Sequence, residues 1–142
     1  MKTKLPVKPL LKGVWHNQHN SEIQLEIDQT GKISGSFITG VMTQGHRSET
    51  FPLTGFAGGD VFAFCVDFSK HGCMTTWVGQ IIDPASKRFH ANWQMIADVY
   101  QKEDLEWKST WVGQDVFDAG PRETEVSNHK APASHPMYSS II

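Results

Sequence analysis

The chain is poor in cysteine. Its 142 residues include two, Cys65 and Cys73, too few for a disulfide scaffold. The strand phasing set out below points them to opposite faces, so they read as free thiols, which suits a reducing compartment. Long apolar runs are missing as well. No stretch approaches the ~18 apolar residues of a membrane-spanning helix, and no membrane partner is expected. Charge of one sign is not in excess either: 13 Lys and Arg stand against 15 Asp and Glu, a formal net charge of -2. Such a balance gives no electrostatic basis for binding nucleic acid or an anionic membrane surface. The basic, proline-containing start, MKTKLPVKPLL, lacks the apolar core of a secretory signal. A chain complete as given therefore reads as cytoplasmic.

Aromatic residues, in contrast, are plentiful, with five Trp and eight Phe. They bury large areas at low entropic cost and suit a core or a pocket for a flat ligand. Three zones follow from composition. Residues 1–11 read as a flexible leader and 12–117 as one folded unit. Residues 118–142 are polar, aperiodic and hold three prolines, which predicts a mostly disordered tail whose removal beyond residue 120 leaves binding intact.

The middle zone reads as strands. Glu22-Ile23-Gln24-Leu25-Glu26-Ile27 alternates strictly between polar and apolar, the pattern of a strand with one wet and one dry face. Further strands are expected over 14–18, 32–41, 51–56, 61–68, 73–82, 88–96 and 107–117, separated by short Gly-, Asp- and Pro-containing turns. Eight strands at short spacing with no helical period predict an all-β fold. The even count and hairpin-length connections predict an antiparallel up-and-down β-barrel, whose closure removes exposed edges.

Period-2 phasing then sorts the faces. The inward sets are Trp15 and Asn17; Ser21, Ile23, Leu25 and Ile27; Ile33, Gly35, Phe37, Thr39 and Val41; Phe62, Phe64, Val66 and Phe68; Cys73, Thr75 and Trp77; Phe89, Ala91, Trp93 and Met95; and Trp111, Gly113 and Asp115. Trp15 reads as a plug at the barrel base. The polar exceptions are Asn17, Ser21, Thr39, Thr75 and Asp115. Inward polar groups cost several kcal/mol unless paired. They either satisfy one another or await a ligand, and phasing alone leaves both open. His16 and His19 have H-x-x-H spacing, but a strand and its turn do not place both on one face, and no third metal ligand is evident. No nucleophile–base pair is visible, so neither a metal site nor an enzyme is expected.

Five segments in order resemble those of the avidin/streptavidin family. They are Gly13-Val14-Trp15-His16-Asn17-Gln18 with Ser21, Gly35-Ser36-Phe37-Ile38-Thr39, Thr75-Thr76-Trp77-Val78-Gly79-Gln80, Asn92-Trp93-Gln94-Met95, and the run from Trp107 to Phe117, WKSTWVGQDVF. The resemblance implies a streptavidin-like eight-stranded barrel that binds biotin and catalyses nothing. It implies that Asn17 and Ser21 donate to the ureido oxygen, Asp115 accepts from a ureido N–H, and Thr75 reaches the ring sulfur. Thr39 and the backbone near Val41 would face the valerate carboxylate, and Trp77 and Trp93 would wall the bicyclic ring. Phe37, Phe68, Cys73 and Met95 complete the implied lining. Trp107 would cover the pocket of a neighbouring subunit in a homodimer or homotetramer, with Val112 and Val116 at a barrel-to-barrel contact. A secreted protein is implied if a signal peptide has been removed.

The sequence departs from the family at Phe37, where a tyrosine is usual, and at Phe68, where a Trp wall is usual. Cys73 and Ala97 stand where serines often bind the carboxylate tail, and the loop over 40–52 is longer than in streptavidin. These departures bear on affinity more than on ligand identity. The alternative is a lipocalin-like carrier of another small hydrophobic ligand, but lipocalins usually place a helix where this chain has its polar tail.

Overall fold

Strand alternation is carried through into burial along most of the described strands. In the strand Arg88–Ala97, the residues Phe89, Ala91, Trp93, Met95 and Ala97 are buried and every residue between them is exposed. A computed structural model describes residues 11–40 and 48–123; Val41 lies outside the described residues. The strands are β1 (Gly13–Asn17), β2 (Glu22–Ile27), β3 (Lys32–Ile38), β4 (Thr50–Gly58), β5 (Val61–Phe68), β6 (Cys73–Gln80), β7 (Arg88–Ala97) and β8 (Thr110–Ala119). Each pairs antiparallel with the next, and β8 pairs with β1, so the sheet is a closed eight-stranded barrel. The expected up-and-down topology is the observed one.

An antiparallel meander gathers alternate turns at each end. The connections after β1, β3, β5 and β7 form one rim, here called the mouth. The connections after β2, β4 and β6 form the base, where β1 starts and β8 ends. The base is closed by aromatic packing. Trp15 is buried, donates its indole N–H to the Leu11 carbonyl at 2.9 Å, and meets Phe89 edge-on with ring centres 4.8 Å apart. Phe62 and Phe117 pack on the same Phe89 ring. Leu11, assigned to the leader by composition, is itself buried in this core.

Strand ends differ from the sequence expectation where turn chemistry takes over. β3 stops at Ile38 rather than at residue 41. Trp107 is not on a strand: it lies in the 3-10 helix Glu103–Lys108, closed by the Ser109 backbone N–H and hydroxyl, both donating to the Glu106 carbonyl. The strand expected over 107–117 begins only at Thr110. β8 continues past Phe117 to Ala119. There Gly120, at φ 107°, takes the left-handed conformation glycine favours and reverses the chain, its N–H donating to the Val14 carbonyl. Residues 121–123, placed in the tail by composition, run back along the outside of β1 and β2. The Arg122 N–H donates to the Glu22 carboxylate, and the backbone of Glu123 exchanges two hydrogen bonds with the Asn20 side chain. Glu22 is consequently buried although it sits on the wet face of β2.

Cys65 and Cys73 are both free thiols, Cys65 half-buried and Cys73 buried, and burial pushes both thiols above their ordinary pKa. Because Trp15 plugs the base with both its ring and its N–H, Trp15→Ala is expected to lower unfolding stability by about 3–5 kcal/mol in urea melts. A loss under about 1 kcal/mol would show that the base is sealed without it.

Candidate ligand-binding site

Inward phase brings Asn17, Ser21, Phe37, Thr39, Phe68, Cys73, Thr75, Trp77, Trp93, Met95 and Asp115 into the barrel, and all are buried. Trp107 is not among them: 82% of its surface is exposed, with the Lys108 ammonium 5.7 Å from its ring centre.

Asp115, on β8, is fully buried. The Trp77 indole N–H donates to its Oδ2 at 2.9 Å, Asn17 Nδ2 donates to the same oxygen at 3.4 Å, and Gln18 Nε2 donates to Oδ1 at 2.9 Å. Burial pushes its pKa above the usual carboxylate value. The Trp77 bond, the nearby His19 and the bonds from Gln18 and Asn17 partly offset that rise. A buried charge is tolerable only with such partners.

Asn17 is aimed by its own turn. Its Oδ1 accepts from the N–H groups of His19 (3.1 Å) and Ser21 (2.9 Å), which turns its amide nitrogen toward Asp115. The Ser21 hydroxyl accepts from the Gly40 N–H at 3.0 Å. The Thr39 hydroxyl accepts from the Glu49 N–H at 2.9 Å, so it ties the end of β3 to the start of β4. At the same rim Glu49 accepts from Lys70 (2.6 Å) and His71 (2.9 Å). The Lys70 bond, then the one from His71, holds the Glu49 carboxyl below the usual range.

Thr75 behaves differently. Its Oγ1 is buried with no hydrogen-bond partner among the described residues, a condition that costs about 1–3 kcal/mol in a folded protein. The Trp111 Nε1 is in the same position.

The walls are aromatic. Trp77 lies between Phe37, at 5.2 Å and 28°, and Phe64, at 5.3 Å and 19°. Phe68 meets Phe37 edge-on at 5.4 Å and Phe51 at 4.7 Å. Trp93 packs close against Gly113, its cross-strand partner on β8. A Cβ at Gly113 would come within 2.3 Å of Trp93 Cζ2.

Three residues here had no site role in the sequence reading. Gln18 follows the last residue of β1, where period-2 phasing stops; its signal was the Asn-Gln pair in the opening motif. Trp111 was phased inward without a role. Gly113 was phased inward too, but only the packed ring shows what its missing side chain accommodates. Among the described residues, no three of His, Cys, Asp and Glu gather as metal ligands would. The chemistry available is recognition: one carboxylate, several oriented N–H and O–H groups, and flat apolar walls.

Gly113→Ala tests the packing directly. The added methyl must displace the Trp93 ring, so the variant is expected to lose about 1–3 kcal/mol of stability and to change the near-UV circular dichroism. An unchanged spectrum would show that Trp93 has room to spare.

The sequence model described as the Avidin family matches residues 6–120. Among solved structures, xenavidin is similar at 27% identity and TM-score 0.66, over 78% of this chain and 97% of that one. A shwanavidin variant crystallised with biotin is similar at 22% identity and TM-score 0.61, over 75% of this chain and 95% of that one, a likeness of fold. With an avidin family match over well more than half its length and the closed barrel described above, the chain belongs to the avidin family.

Proposed function

We propose that this protein binds biotin with high affinity in the barrel mouth and performs no chemistry on it. The observation that carries the reading is Thr75 Oγ1, a buried hydroxyl without a partner on the same face of β6 as Trp77, whose indole N–H is fastened to Asp115. Together with family membership, this favours a polar ligand seated among aromatic walls over a self-satisfied polar core.

In this reading Asn17 and Ser21 donate to the ureido oxygen. Asp115 accepts from one ureido N–H. Thr75 lies against the ring sulfur, and Trp77, Trp93, Phe37 and Phe68 enclose the bicyclic ring. Met95 and Cys73 line the side walls, with Thr39 toward the valerate carboxylate. The Thr39 hydroxyl is already engaged with Glu49, so its part is to shape the rim. A ureido group offers one strong acceptor and two donors, and these residue types complement it. Walls already locked by ring packing keep the ordering cost of binding low.

Calorimetric titration is expected to give one biotin per chain. Asp115 sets the pH dependence. Only the ionised carboxylate accepts at both oxygens, so affinity is present above its pKa and falls as pH drops through it. Because that pKa is raised, the fall begins at a higher pH than for an ordinary carboxylate, and Asp115→Asn flattens it while weakening binding at neutral pH. No heat and no thermal shift with excess biotin would sink the proposal; a flat wild-type pH profile would remove Asp115 from it.

We further propose a homodimer or homotetramer in which the exposed Trp107 covers a partner's pocket. Val112, 73% exposed, and the neighbouring exposed Val78 and Ile96 offer an apolar outer face on β6–β8. Trp107→Ala is expected to speed biotin release at least tenfold. An unchanged off-rate, or a monomer in sedimentation at micromolar concentration, would refute this arrangement.

A further inference from the structure

The chain beyond β8 is read from composition as dispensable, yet its first residues are fastened to the mouth. The Arg122 guanidinium Nη1 donates to the Thr39 carbonyl and, at 3.1 Å, to the Ser48 hydroxyl. Thr39 and Ser48 flank the β3–β4 connection. The strap that brings Arg122 there is itself secured twice, by the Glu22 carboxylate on the Arg122 N–H and by the paired bonds between Asn20 and Glu123.

The peptide unit between Thr39 and Gly40 is what connects this strap to the site. Its carbonyl accepts from Arg122, and its N–H, that of Gly40, donates to Ser21 Oγ. One rigid plane is therefore held from both sides. A cation on the carbonyl polarises the amide and strengthens the bond its N–H makes. That bond engages a lone pair of the Ser21 hydroxyl and so directs where its hydrogen points.

We propose that Arg122 is a positioning residue of the ligand site: through the Thr39–Gly40 peptide it orients the Ser21 hydroxyl for the acceptor oxygen of the ligand. The proposal rests on the biotin reading above. It also accounts for a half-buried arginine held on backbone and hydroxyl oxygens on the outside of a strand, where surface charge alone requires no such geometry.

Full-length Arg122→Ala, Arg122→Lys, Ser21→Ala and the double variant test it. In the wild-type background Arg122→Ala is expected to weaken biotin binding about tenfold, the effect of one hydrogen bond to a charged group. Arg122→Lys should recover part of this loss. In the Ser21→Ala background the loss should fall below about twofold, because the hydroxyl through which Arg122 acts is gone. In the ligand-free protein, exchange of the Gly40 amide should quicken in Arg122→Ala while the Leu25 and Ile33 amides hold their rates.

Wild-type affinity in Arg122→Ala, or an equal loss with and without Ser21, would overturn the positioning role. An unaltered Gly40 exchange rate would overturn the clamp itself, whatever the ligand. A wild-type chain that binds no biotin would fail the underlying reading instead, and the first titration shows that before any variant is measured.

Discussion

The seam between β1 and β8 is the constraint on which the rest depends. Only three residue pairs form it: Trp15 with Ala119, His16 with Asp118, and Asn17 with Phe117. Without them the sheet has two open edges, each with unpaired backbone groups. With them the first and last strands lie side by side, and residues almost a hundred positions apart meet. Asn17 and Gln18 reach Asp115 across this seam, and Trp15 seals the base beside Phe89 and Phe117. Backbone closure and carboxylate satisfaction are thus one event. A barrel that failed to close would leave Asp115 buried with fewer donors.

Inside the barrel, apolar and polar requirements are separated along the axis. The base is filled by Trp15, Phe62, Phe89 and Phe117, whose one polar handle, the Trp15 N–H, is satisfied by Leu11. Toward the mouth the rings of Phe37, Phe64, Phe68 and Trp77 lock one another at stacked and edge-on angles. The Trp77 N–H reaches out of this stack to Asp115. The same ring is therefore a wall and a hydrogen-bond donor, and the carboxylate it holds cannot swing without moving the aromatic cluster. Such a site is organised before any ligand arrives.

Period-2 reasoning located most of this correctly, because it depends only on local backbone geometry. In a strand, residue i and residue i+2 share a face whatever the partner strand does. Hence the burial of Ile23 and Leu25, of Phe62, Phe64, Val66 and Phe68, and of Phe89, Ala91, Trp93 and Met95 was legible. The rule fails where the strand ends. Gln18 reaches Asp115 from a turn, Trp107 sits in a 3-10 helix rather than at a strand start, and Arg122 returns along the outside of the barrel after Gly120 reverses the chain. Composition misled at the same point. The polar character of the last residues correctly indicates little apolar burial, but 121–123 are held by hydrogen bonds instead.

By itself the sequence determined the fold class, the strand count, the face of every strand but β4 and the family, since alternation and motif order are properties of the chain. Tertiary structure alone decided how the polar groups are shared. Closure placed Gln18 on Asp115, packing placed the Trp93 ring over Gly113, and the returning strap placed Arg122 on the Thr39 carbonyl. These outcomes depend on which distant donors and acceptors arrive within about 3 Å of each other, and spacing along the chain carries no information about that distance.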